Sequence, residues 1–294
     1  MSIHLIRSFA PGLFGGIFLA AMATAAPINT DTALPVHEGE VLWREQVRFM
    51  KAQDSSRDLE VFAVPSVLVY GVTEKLALIG MVPWLDKKLT MAGVERGDDG
   101  FGDSTLLGRY QVFQLDRPGE TFRAQILGGL KFPTGRDDAR DSLGRLPQPL
   151  QLGSGSYDPV VAGVFSWQRL QWQADFDLGY KFNTRANGFR FGDTFTHNAA
   201  FQYRLSPRTL PDAGVPAFVY GVLELNGIWA QRDEQNGDKV GDSGGYTLFV
   251  SPGLQYVTQR WVAEISVQVP LIQELNGGQL KTDYILSAGF RVQL

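Results

Sequence analysis

WQADFDLGYKFN, residues 172–183, sets Trp172, Ala174, Phe176, Leu178, Tyr180 and Phe182 against Gln173, Asp175, Asp177, Gly179, Lys181 and Asn183. A period of two belongs to a strand, whose successive side chains point to opposite faces. The same alternation recurs on both sides of this stretch. Phe122, Ala124, Ile126, Gly128, Leu130 and Phe132 oppose Arg123, Gln125, Leu127, Gly129 and Lys131. Trp261, Ala263, Ile265, Val267, Val269 and Leu271 oppose Glu264, Ser266 and Gln268, and the chain ends on the alternating run 284–294. No helical period competes after the first 25 residues.

Twelve segments of this kind follow one another: 41–50, 58–70, 76–85, 103–115, 121–132, 156–168, 171–183, 193–205, 216–230, 245–257, 261–272 and 282–294. Most are longer than the usual strand of a soluble protein and match the roughly 9–11 residues of a tilted membrane strand. The connections after the second, fourth, sixth and tenth segments are tight, with 206–215 the longer exception. Those after the third, fifth, seventh and ninth (86–102, 133–155, 184–192 and 231–244) are long and polar. Short periplasmic turns alternating with long outer loops mark outer-membrane barrels. Aromatic side chains near segment ends, among them Trp84, Trp167, Trp172, Tyr256 and Trp261, fit two interfacial girdles. The expected fold is therefore all-β: a transmembrane antiparallel up-and-down β-barrel of twelve strands.

Composition narrows the function. The 294 residues carry 27 basic and 31 acidic side chains, a formal charge of −4, so a nucleic-acid partner has no electrostatic footprint. With no Cys, disulfides, thiolate metal sites and cysteine nucleophiles are excluded. Residues 1–25 read as a signal peptide: Arg7, an apolar stretch to Met22, then Ala23-Thr24-Ala25 as the cleavage site. The remainder divides into a short periplasmic segment, 26–40, and the barrel, 41–294.

Three motifs add to this layout. Gly100-Phe101-Gly102-Asp103 leads into a segment carrying Arg109-Tyr110, Lys131-Phe132-Pro133-Thr134-Gly135 ends the next, and Gly153-Ser154-Gly155-Ser156-Tyr157-Asp158-Pro159 opens the following one. With them the chain resembles the outer-membrane, transporter-like proteins of the "MetA-pathway of phenol degradation" family. Leu294 departs from the aromatic residue that more often ends such barrels. The resemblance implies a barrel in the bacterial outer membrane that passes small hydrophobic or aromatic compounds. It brings no catalytic or binding residues with it.

The remaining candidates are read from the residues. Gly241-Asp242-Ser243-Gly244-Gly245 matches G-x-S-x-G, and Ser243 shares a rim with His197 two strands away. A lipase-like hydrolase is thus the enzymatic alternative. The pattern works as a nucleophile elbow only on a strand-to-helix turn, which is lacking, so no enzyme and no catalytic residue is expected. Loop 233–242, DEQNGDKVGD, lacks the residue order of a calcium loop, and two distant His do not make a zinc site, so neither metal nor cofactor is expected.

Alternation points Asp103, Arg109, Arg123, Lys131, Asp158, Asp175, Asp177, Lys181, Arg204, Glu224, Glu264 and Arg291 into the lumen, six acids and six bases. Either they border a narrow polar path for a small-molecule solute, or they pair across the lumen and close it. Passive or facilitated diffusion is the expected function, with a non-conducting structural barrel as the alternative. Loop 133–155, the longest, is the expected plug, and outer-membrane lipid and lipopolysaccharide are the expected surroundings.

Overall fold

A computed structural model describes residues 26–209 and 216–294. The expected signal peptide lies outside the described residues. Twelve long strands form the wall: β1 (Val41–Gln53), β2 (Arg57–Gly71), β3 (Leu76–Met91), β4 (Ser104–Arg117), β5 (Glu120–Phe132), β6 (Asp158–Arg169), β7 (Trp172–Lys181), β8 (Thr194–Ser206), β9 (Phe218–Ala230), β10 (Gly245–Val257), β11 (Trp261–Leu275) and β12 (Thr282–Gln293). Each pairs antiparallel with its sequence neighbour, and β12 returns to β1, Leu42 opposite Gln293 and Met50 opposite Ile285. Closure pairs every strand on both sides, so the wall has no free edge.

The wall departs from expectation in the loops. β3 runs on to Met91 and is answered by a further strand, Val94–Phe101, with Trp84 opposite Phe101. Loop 86–102 is therefore mostly hairpin; its charged residues Asp86, Lys87 and Lys88 mask the strand in the sequence. Short hairpins at Arg185–Ala186/Phe189–Arg190 and Glu234–Gln235/Asp238–Lys239 join into a small sheet. Their turns are Asn187-Gly188 and Asn236-Gly237, all at positive φ, the Asn-Gly signature of a tight hairpin.

The outer face is a belt of exposed apolar side chains, including Leu106, Ile126, Val161, Leu223, Leu254 and Ile265. Aromatic contacts cluster at both ends of it. Trp43–Phe290, Trp167–Trp172 and Tyr256–Trp261 lie at the short-turn end, and Phe132–Tyr157 and Tyr180–Phe182 at the long-loop end. A continuous apolar belt of this extent belongs in lipid, and the closed barrel is that of a bacterial outer-membrane protein.

Two corrections concern the interior. Polar side chains were expected to face inward throughout, yet β2 presents Leu59, Val61, Ala63, Val67 and Val69, joined by Ala77 and Ile79 of β3, Leu107 of β4, Leu127 of β5, and Val160 and Val164 of β6. The inner face of β2 and β3 is mainly apolar and continues onto Leu107, Leu127, Val160 and Val164, while β7–β12 and β1 carry most of the buried polar side chains. Secondly, residues 26–40 are not a free periplasmic lead. Residues 26–34 and Val36 are buried inside the barrel, and only 37–39 are exposed, at the short-turn end. The physical reason is pairing: inward carboxylates withdrawn from water require donors, and the backbone of this segment supplies them.

Candidate functional site

Glu224, midway along β9, is the main anchor of the segment. It accepts the N–H groups of Ile28 at 2.6 Å, Asn29 at 2.9 Å and Thr30 at 2.8 Å, and the Thr30 hydroxyl at 2.9 Å. Asp177 accepts the Asp31 N–H at 2.8 Å, Asp175 the Thr32 hydroxyl at 2.8 Å, and the Ser166 hydroxyl oxygen the Ala33 N–H at 2.7 Å. Asp31 closes an ion pair with Arg109 at 2.7 Å. Carbonyls are met as well: Gln255 donates to Ala26, Arg291 to Pro27 and Arg44 to Ile28. Arg44 and Arg291 in turn flank Glu264, at 2.7 and 2.6 Å, with all three side chains buried. A side chain at Gly253 would place its Cβ 2.5 Å from Ile28, so the glycine opens the wall to the segment.

Of the twelve inward residues expected from alternation, Arg109, Asp175, Asp177, Glu224 and Arg291 bind the segment directly, and Glu264 holds the arginines that do. Asp103, Lys131 and Asp158 form a second group toward the long loops, with Lys131 at 2.7 Å from both carboxylates. Asp103 also accepts the N–H groups of Ser154 and Gly135, fastening loop 133–155. Arg123 lies 3.9 Å from Asp116, and Arg204 stacks over Phe218 near the short-turn end. Lys181 lies beside the second group and interacts with its charges through space, without a hydrogen bond or ion pair to them.

Sequence reasoning missed three participants. Arg44 and Arg48 lie on the inner face of β1, and their alternation with Trp43, Val47 and Phe49 was readable; Glu45 on the outer face obscured it. There Glu45 accepts the Ser66 hydroxyl. Asp31 sits in a stretch with no periodicity to place it.

Above the segment, toward the long loops, lies a cavity of about 190 Å³. Its apolar side comprises Ala63, Pro65, Ile79, Met81, Leu107 and Val160, and its polar side includes Asp103, Lys131 and Lys181. Loop 133–155 roofs it: Leu152 packs with Ala63 and Leu85, while Leu146 and Leu150 pack with Met50, Val61, Leu89 and Phe249. The same apolar wall continues downward to Leu34 and Val36 of the segment.

The hydrolase alternative has no geometry behind it. Ser243 donates to the Val240 carbonyl at 2.7 Å and accepts the Asp233 N–H at 2.8 Å within its own loop. His197 stacks on Tyr246, with its Nε2 3.2 Å from that hydroxyl. Loop 233–242 folds as a hairpin, and no cluster of three metal-ligating side chains occurs among the described residues.

The twelve strands thus enclose a lumen lined by apolar and by hydrogen-bonded polar side chains and occupied by the chain's own segment 26–36. The chain matches the family described as "Putative MetA-pathway of phenol degradation" over residues 54–282, more than three quarters of its length, and it belongs to that family. No curated protein sequence matches it. Among solved structures it is distantly similar to a protein described as the CymD monoaromatic hydrocarbon channel (12% identity, 88% of this chain and 89% of that one, TM-score 0.43). It is likewise similar to the β domain of the Bordetella autotransporter BrkA (13%, 87% and 100%, 0.41) and to the translocator domain of NalP from Neisseria meningitidis (9%, 87% and 88%, 0.41).

Proposed function

We propose that this protein is a channel for facilitated diffusion of a small solute with an apolar body across the outer membrane, down its gradient and without enzymatic conversion. The carrying observation is the apolar strip inside the lumen. A barrel that only needs filling fills its lumen with polar side chains bonded to one another or to its own chain, as β7–β12 do here. The strip instead runs from the cavity under loop 133–155 to Leu34 and Val36 at the short-turn end. It offers an apolar solute a continuous surface, and residues 26–36 occupy its lower part. Asp103, Lys131 and Lys181 border the upper part, while Arg109, Asp175, Asp177, Glu224, Glu264 and Arg291 hold the segment that must shift for passage.

The same segment favours the second reading, a closed structural barrel. The two separate on uptake of radiolabelled toluene by Gram-negative cells with an intact lipopolysaccharide leaflet, with and without the protein. Faster uptake than in vector controls supports the channel; equal uptake from a folded, surface-exposed barrel supports the closed one.

A further inference from the structure

Three lysines, Lys87, Lys131 and Lys181, face the cavity together with two carboxylates, Asp103 and Asp233. Both carboxylates are engaged elsewhere: Asp103 by Lys131 and the backbone of loop 133–155, and Asp233 by the Gly192 N–H at 2.8 Å. Lys131 is bridged between Asp103 and Asp158. Lys87 donates to the carbonyls of Pro149 and Gln151. Lys181 has no hydrogen bond and no ion pair among the described residues, although it sits at the long-loop end of β7 with the cavity before it. Charges withdrawn from bulk water are ordinarily paired; the carboxylates that act on Lys181, Asp103, Asp158 and Asp193, do so only through space and are bonded to Lys131, Asn183 and Arg190 instead.

We propose that the cavity is a binding site for a compact aromatic carboxylate, its ring against Ile79, Met81 and Leu107 and its carboxylate on Lys181. Size sets the ring. An apolar cavity of about 150 Å³ accepts one benzene, so a cavity of about 190 Å³ accepts one ring with a small substituent. Charge sets the substituent, because an anion supplies the partner that Lys181 lacks and a neutral group does not. This deepens the channel reading and rests on it for its physiological use, although binding is measured without transport.

The test uses purified protein in lipid nanodiscs with benzoate as probe, benzyl alcohol as the neutral ring and acetate as the ringless anion. Benzoate is expected to bind about tenfold or more tightly than either, the gain from a hydrogen bond to a charged partner. Lys181→Met and Lys181→Gln should lower benzoate to the level of benzyl alcohol and leave benzyl alcohol unchanged, which also certifies that the variants fold. Leu107→Trp, filling the cavity, should abolish both. Benzoate binding no better than benzyl alcohol, benzoate binding indifferent to Lys181, or octanoate binding more tightly than benzoate would each overturn the site. If benzoate binds through Lys181 while toluene uptake equals the vector control, the site stands and the channel falls. If uptake is raised but benzoate shows no preference, the channel stands and the site falls.

Discussion

Replacing Glu224 by Ala should release the segment inside the barrel. The carboxylate accepts three backbone N–H groups and one hydroxyl, at 2.6 to 2.9 Å, from residues nearly two hundred positions away in sequence. At about 1.5 kcal/mol for each hydrogen bond to a charged acceptor, the four together contribute about 6 kcal/mol. Water admitted to the vacated volume restores a part. A loss near 3 kcal/mol remains, or roughly a hundredfold shift from seated toward displaced segment. The absence of Cys makes this measurable, since Ala33→Cys introduces a single thiol at a fully buried position. Its rate of labelling by a charged maleimide in detergent follows the displaced fraction. With Glu224 present the thiol should react slowly; with Glu224→Ala, roughly a hundredfold faster if exchange outpaces labelling; with Glu224→Gln, in between. Equal rates in all three proteins, each still migrating as a heat-modifiable barrel on gels, would refute the anchoring role.

The buried Arg44–Glu264–Arg291 group loses the carboxylate between its two arginines when Glu264 becomes Ala, so unfolding in urea should lose about 3–5 kcal/mol; a change under about 1 kcal/mol would show that water replaces the carboxylate. Gly227 accommodates the His197 ring, which a Cβ there would approach to 2.1 Å. Gly227→Ala should destabilise by about 1–3 kcal/mol, and most of that loss should vanish in a His197→Ala background, since the two sites touch; additive effects would contradict the contact. In the outer loop, burial pushes Asp233 from its ordinary 3.8 up to about 7, opposed by the Gly192 N–H. The folded loop therefore favours the protonated acid: its stability is full below the ordinary carboxylate range and falls as pH rises toward about 7. Tryptic cleavage at exposed Lys239, relative to Asp233→Asn at each pH, should accelerate between about pH 5 and about pH 7, and a constant ratio would count against the buried acid.

The wall of this barrel is legible wherever the two faces differ. In β7, Asp175 and Asp177 alternate with Phe176 and Leu178, and they point inward as the pattern requires. Where both faces are apolar the pattern falls silent. In β2, Val61, Ala63 and Val67 line the lumen while Phe62 and Leu68 face lipid, and nothing in the run VFAVPSVLVYG tells one set from the other. The apolar part of the lumen is therefore invisible until strand pairing assigns the faces. The segment 26–36 escapes for a different reason: it has no period, and its fold is dictated by partners such as Glu224 and Arg109 that lie far along the chain. Loop 86–102 was obscured by charge, because Lys87 and Asp98 read as solvated loop although they stand opposite one another in a hairpin.

Leu106 and Leu107 are neighbours on β4 with opposite surroundings, Leu106 49% exposed toward lipid and Leu107 2% exposed against the cavity. Toluene uptake by cells producing equal amounts of folded Leu106→Trp or Leu107→Trp protein compares the two faces of one strand. Leu106→Trp should leave uptake at the wild-type rate, and Leu107→Trp should bring it down to the vector background. Equal rates in both variants would mean that the solute does not travel along the inner apolar wall.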